Sequence, residues 1–253
     1  MMNGIRAVIV LLGLCLIWQV IVSVSGVPPY ILPGPVAVLV ALIKQPEMFL
    51  SHALITATEI LLGLFLGFIL GVACALSMAY FRPAQRWLLP VLVVSQAVPV
   101  FALAPILVLW LGYGLASKVA MATLIIFFPV TAAFFDGLRR TEPGWIDLAR
   151  TMNASRWAIL RHIRIPAAIP ALGSGIRVAT AVAPIGAVVG EWVGSGAGLG
   201  YLMLHANARV QIDVMFAALL TLAVIAIVLY FAVDLALRRL VIWDANETHI
   251  LNN

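Results

Sequence analysis

The sequence predicts an all-α polytopic membrane protein with six transmembrane helices and one helix-turn-helix loop outside the membrane. Three observations carry this. Of the 253 residues, 64% are hydrophobic and 10% charged, with a mean hydropathy of +1.13, whereas soluble domains are about half apolar. The apolar residues come in long unbroken blocks, not in the ten-residue alternating segments of a β-barrel, so the membrane-spanning backbone must be helical. Finally, the stretch Trp145 to Pro166, carrying Arg150, Arg156, Arg161 and Arg164, is too polar to be membrane and separates two apolar blocks.

The blocks place six spans at about 5–25, 53–80, 87–111, 117–138, 167–189 and 214–237, within one transmembrane domain covering residues 1–253. The first is followed by the proline cluster Val27 to Pro35, which regular helix cannot accommodate. Small residues near Ser23 to Gly26 would also suit a cleaved signal peptide, but the apolar run is long for one, and a retained helix is expected. Residues 36–43 form an apolar helix too short to span, placed at the outer interface. In the second span, Gly63, Gly67 and Gly71 recur every fourth residue and form a ridge that lets another helix approach closely. Glu59 near its outer end is expected to be interfacial and solvated, the alternative being that it faces the bundle interior. Pro90, Pro99 and Pro105 interrupt the third span; with Gln96 they describe either a distorted pathway-lining helix or a kinked packing helix. The run Gly190 to Gly200 places glycine at nearly every second position, with no strand before it. It suits a bent or re-entrant segment near the outer face, not a nucleotide loop.

Charge sets the orientation. With both termini inside, eleven Arg fall on the inner side: Arg6, Arg82, Arg86, Arg139, Arg140, Arg150, Arg156, Arg161, Arg164, Arg238 and Arg239. Lys44, Lys118 and Arg209 fall outside, and Arg177 lies within the fifth span, its side chain reaching toward the inner surface. This positive-inside bias puts residues 141–166 in the cytoplasm and accounts for the net charge of +5 without nucleic acid.

Read locally, 141–166 is two short helices and a tight turn. Trp145, Leu148, Ala149 and Met152 fall at i, i+3, i+4 and i+7, an apolar stripe on the first helix. Thr141 is its expected N-cap and Pro143 suits its first turn. Asn153 tolerates the left-handed conformation that ends a helix, Ser155 can cap the second, and Pro166 is expected to end it.

This stretch resembles the EAA loop of ABC-importer permeases: Glu-Ala-Ala, three residues, Gly, nine residues, Ile-x-Leu-Pro. Asp147-Leu148-Ala149 stands for the triplet, Asn153 for the glycine, and Ile163-Arg164-Ile165-Pro166 for the end, with the spacing intact. Asp, Leu and Asn are departures from the pattern. The resemblance extends along nearly the whole chain. Tyr30 to Pro35, Pro105 to Gly112, Gly190-Glu191-Trp192 and Gly198 to Leu202 are similar to the branch that imports nitrate, taurine, alkanesulfonates and pyrimidine precursors of thiamine. Continuation into Asn207-Ala208-Arg209 and Asp213 to Phe216 leans toward the pyrimidine precursors.

The resemblance implies an inner-membrane permease subunit that works as a pair, a homodimer being usual. Its partners would be a cytoplasmic ABC ATPase dimer and a periplasmic or lipid-anchored solute-binding protein. It also implies that Asp147, Leu148, Ala149, Asn153, Ile163, Ile165 and Pro166 contact the ATPase. Gln96, Pro99, Glu191 and Trp192 are candidates for facing the pathway or the receptor.

The chain itself has no GxxxxGK[ST] loop, so ATP and its Mg would sit on the partner, and no cofactor is expected here. Its four histidines, His52, His162, His205 and His249, form no i, i+4 pair, no metal site is expected, and no nucleophile–base constellation supports an enzyme. Cys15 and Cys74 are expected to be buried as small apolar residues. The alternative is an ion-coupled secondary transporter in which Glu59 or Glu191 binds a proton or sodium ion, although no inverted halves are visible.

Overall fold

The computed structural model describes residues 2–240, with the side chains of residues 2–5, 7, 8, 11 and 96 outside the described set. Those residues form helices joined by short connections, with no strand among them. In chain order they are α1 (Met2–Ser25), α2 (Pro35–Lys44), α3 (Pro46–Tyr80), α4 (Arg82–Ala97), α5 (Val100–Leu111), α6 (Leu115–Arg139), α7 (Pro143–Thr151), α8 (Arg156–Ile159), α9 (Ile165–Gly194), α10 (Leu199–Ala208) and α11 (Ile212–Leu240). A π-helical turn, Leu160–Arg164, joins α8 to α9.

Among the described residues, four helices are long and apolar enough to cross a bilayer: Pro46–Tyr80, Leu115–Arg139, Arg156–Gly194 and Ile212–Leu240. A fifth crossing is available if α4 and α5, bent by 104° to one another, count as one. The expected third span is thus two helices. The break falls at Val98-Pro99, where Pro99 takes an extended conformation and N-caps α5. Proline disfavours a helical residue before it and supplies no N–H, so of the three prolines the one at the break ends the helix. Pro90 and Pro105 remain inside α4 and α5. α1 runs over 24 residues, Met2–Ser25, and its described stretch Leu12–Ser25 is apolar.

At the centre, α6 lies between α3 and α9. Small residues allow this. Gly63, Gly67 and Gly71 of α3 back onto Ala122, Ile126 and Val130 of α6. On the other side, Gly186 and Gly175 of α9 meet Ala122 and Ala133. Ala179, Ala183 and Ala187 complete this middle layer with Ile60. Toward the α7–α8 end the core becomes large, with Met78, Phe134, Phe135, Leu138 and Leu160. Toward the other end it is built from α2, α3, α10 and α11 around Val38, Phe49, Leu199 and Leu202.

The glycine ridge makes a direct prediction. A Cβ on Gly67 would lie 2.6 Å from Ile126 Cγ2 and 3.2 Å from the Thr123 carbonyl oxygen. Gly67→Ala should therefore destabilise by ~1–3 kcal/mol, the usual cost of overpacking. Adding Ile126→Ala should recover part of the loss, because it removes Cγ2 while leaving Ile126 Cβ 2.8 Å away. Denaturation in detergent micelles measures both, and an additive double mutant would contradict the packing.

Large apolar side chains face outward along α3, α5 and α11, among them Leu61, Phe65, Leu109, Val228 and Phe231. Such a surface suits lipid, or another apolar helix, and not water. Cys15 lies on this outer surface, not buried as expected, and Cys74 is half-buried; both are free.

Candidate functional site

Two regions at opposite ends of α9 gather the chemistry-bearing residues. The first is the hairpin. Pro143 stands at the start of α7, and the helix ends at Thr151. Asn153 has φ 56°, the left-handed turn its side chain tolerates, and Ser155 accepts a hydrogen bond from Ala158 N–H at 3.2 Å. These match the expectations. Thr141 does not: its hydroxyl donates to the Leu138 carbonyl at 3.3 Å and is buried, so it closes α6, while Glu142 occupies the N-cap position of α7 without a side-chain bond.

Pro166 also departs from expectation, because the helix continues through it. The π turn places Pro166 in the first turn of α9, where its missing N–H is tolerated. A wider i→i+5 turn is a local solution that a proline-based stop signal does not anticipate.

The apolar stripe on α7 faces outward. Ala149 is buried, but Trp145, Leu148 and Met152 are 54, 64 and 75% exposed. With His162, Ile163, Pro166 and Ala167 they line an apolar groove of about 470 Å³. Asp147 pairs on the helix surface with Arg150 at 3.0 Å, an exposed pair of little energetic weight. Ile165 lies at the start of α9 and packs against the Phe134–Leu138 core. The hairpin thus presents an apolar patch edged by charge.

The second region is a buried polar network. Glu191, near the end of α9, accepts from the Thr56 hydroxyl at 2.6 Å with one oxygen and from the Gly200 N–H with the other. The Thr56 hydroxyl in turn accepts from Leu199 N–H at 2.8 Å, and Gly198 N–H donates to His52 Nδ1 at 2.9 Å. One carboxylate and two side chains of α3 therefore hold the first N–H groups of α10, where a negative charge is favoured. Gly198 has φ 111°, and a Cβ there would run into the Glu191 carboxylate. The glycine run is needed for this approach. His52 stacks on Tyr201, whose hydroxyl contacts His205 Nε2 at 3.2 Å.

Glu59 is fully buried and paired with Lys118, Nζ to Oε1 3.4 Å, with side chains 0% and 8% exposed. The favoured expectation for Glu59 is corrected: it is not solvated but faces the bundle interior, the alternative reading, and Lys118 is buried with it. Hydropathy counts each charge alone, whereas two opposite charges on α3 and α6 can be buried together. Glu191 likewise turns inward, while its neighbour Trp192 is half exposed. Pro99 sits at the α4–α5 break, and the Gln96 side chain lies outside the described residues. Arg177 is engaged across helices instead of simply reaching for a surface. Its Nε donates to Asp234 of α11 at 2.8 Å, and Asp234 also accepts from Arg238 at 2.8 Å. Asp234 lay in an apolar block with no local signal beyond its charge.

The described residues form an apolar helical bundle packed through small residues, with an outward apolar hairpin at one end. Residues 63–242 match the family described as binding-protein-dependent transport system inner membrane component, and the chain belongs to that family. It is 55% identical over 231 residues to the "Probable ABC transporter permease protein" of Haemophilus influenzae, covering 91% of this chain and 94% of that one. It is 38% identical to the riboflavin transport system permease protein RibX of Chloroflexus aurantiacus, covering 94% and 90%. With the formylaminopyrimidine transport permease protein ThiX of Halalkalibacterium halodurans the identity is 35%, covering 93% and 94%. Among solved structures, a chain of the MetNI methionine ABC transporter in an inward-facing conformation shares the fold. Its TM-score is 0.67 at 19% identity, covering 78% of this chain and 97% of that chain. The protein is an ABC transporter permease, a membrane component of a transport system.

Proposed function

We propose that the chain is the permease of an ATP-driven, binding-protein-dependent importer for a small solute with a flat nitrogen heterocycle. The observation that carries the energy-coupling part is the exposed groove of Trp145, Leu148, Met152 and Ile163. An apolar patch of this kind on a helical hairpin outside the apolar spans suits a protein partner. The partner is a cytoplasmic ATPase dimer, which carries ATP and Mg. Asp147 and Asn153 shape the hairpin, and Ile165 and Pro166 join it to α9.

In this reading α1 supplies the sixth crossing, both termini are cytoplasmic, and two copies of the chain enclose the pathway. Pro99 and Gln96 at the α4–α5 break, together with Trp192, face that pathway or the solute receptor at the opposite end. ATP and the loaded receptor each bind one state of the bundle better than the other, and so shift its population. The substrate class rests on two relatives whose names specify riboflavin and formylaminopyrimidine. The sulfonate and taurine permeases are less similar, at 31% identity or below. An ion-coupled mechanism would need Glu59 or Glu191, and both are engaged by protein groups.

The test is co-purification with the cognate ATPase from cells expressing both. Leu148→Asp with Met152→Asp should abolish co-elution while leaving the permease in the membrane. Undiminished co-elution of the double variant would refute the docking assignment. Uptake of labelled pyrimidines, flavins and taurine then separates the substrate classes.

A further inference from the structure

Beside the hairpin lies a second cavity, unrelated to the apolar groove and lined by polar groups. It has a volume of about 210 Å³ and sits between α3, α4, α6 and the π turn, with Gln85, Arg139 and Arg164 around it and Met78 and Leu138 at its wall. Gln85 also lines an adjoining cleft of about 450 Å³ that holds Arg82 and Arg86. Four arginines thus surround two cavities that share one glutamine. None of the four has a carboxylate within 4.0 Å among the described residues. The Nε of Arg164 is buried and without a hydrogen-bond partner. A buried guanidinium N–H left unpaired is costly, and a forked donor beside other cations matches a tetrahedral oxyanion.

The depth of this site is marked by aromatic residues. Tyr80 packs edge-on against Phe81 and against Trp157, with ring centroids 4.8 and 5.9 Å apart. Trp87, one residue beyond Arg86, is 78% exposed. Tyrosine and tryptophan concentrate where acyl chains meet head groups, and basic pockets between spans at that level suit anionic head groups.

We propose that Gln85, Arg139 and Arg164, with Arg82 and Arg86 at the entrance, bind a phosphate group, that of an anionic phospholipid in the leaflet at the hairpin end. The lipid phosphate would sit in the smaller cavity against the Arg164 guanidinium, and its glycerol would leave through the cleft past Leu89 and Pro90. The site is independent of the ATPase-docking groove and does not rest on the proposed substrate.

The experiment uses the full chain in detergent micelles. Native mass spectrometry and thermal unfolding are followed with phosphatidylglycerol, with phosphatidylcholine, and with inorganic phosphate. Phosphatidylglycerol should give discrete adducts and raise Tm; phosphatidylcholine should do neither. Arg164→Gln should weaken retention roughly tenfold, the worth of a charge-assisted hydrogen bond, and Arg164→Lys less. Should Arg164→Gln fail to fold, Arg82→Gln with Arg86→Gln tests the entrance without touching the buried group. A response to phosphatidylglycerol alone supports the lipid source. A response to inorganic phosphate alone, lost in Arg164→Gln, keeps the oxyanion site but overturns the lipid as its source. Equal adducts with both lipids, or variants that retain phosphatidylglycerol like the wild type, overturn the proposal.

Discussion

Lys118→Met is expected to be among the most destabilising single substitutions in the chain. It leaves the Glu59 carboxylate fully buried, without its cation and without a hydrogen bond. Removing one partner of a buried ion pair costs ~3–5 kcal/mol, because the other charge remains desolvated. Glu59→Leu combined with Lys118→Met removes both charges and should return most of the stability, since an apolar replacement of a buried pair is often neutral or better. Chemical denaturation of the four proteins in detergent provides the cycle. If Lys118→Met unfolds at the wild-type midpoint, the pair contributes nothing and Glu59 must be neutralised in some other way. Glu59 also interacts with Glu191, which together with Thr56 secures the start of α10. Loss of Lys118 should therefore also loosen α10, visible as faster hydrogen exchange at the Leu199 and Gly200 amides.

The second large effect is expected at Asn153, and it should fall on transport. Asn153 holds φ 56° between α7 and α8. Proline is restricted to φ near −65°, so Asn153→Pro must redirect the chain and misplace the groove. Uptake by the reconstituted importer should fall at least about tenfold, a loss of ~1.4 kcal/mol or more in coupling, while the protein still inserts in the membrane. Asn153→Gly should preserve uptake, because glycine accepts a left-handed turn at no steric cost. Ready uptake by Asn153→Pro would show that the hairpin geometry is not needed for coupling.

What could be read from the sequence was local. Asn153, Ser155 and Pro143 announce their positions because caps and left-handed turns are properties of one to four residues. The Gly63–Gly67–Gly71 ridge was visible as a period, and α6 indeed fills it. The outward stripe of α7 could be seen as a stripe, but not which side it faced. Pairings between distant helices left no such trace. Glu59 with Lys118, Arg177 with Asp234, and Thr56 with Glu191 each join positions more than fifty residues apart. A hydropathy pattern treats each as an isolated charge or hydroxyl and sends it to the surface. The passage of the helix through Pro166 was hidden for a related reason: proline signals a stop, and only the π turn before it converts that stop into a helical first turn.

That turn also has a mechanical consequence. Because α8, the π turn and α9 form one helix of 39 residues, Arg156–Gly194, it is roughly 58 Å long at ~1.5 Å per residue, nearly twice the ~30 Å hydrocarbon layer. One end carries the second half of the hairpin, and the other carries Glu191 with the mooring of α10. A rigid tilt of about 5° at the hairpin would displace the Glu191 end by ~5 Å over that length. Pro170 and Pro184, inside α9, are the two joints at which the rod could bend instead. A single continuous element therefore connects the surface proposed to dock the ATPase with the buried network at the far end, and no chain of side chains between them is required to carry the message.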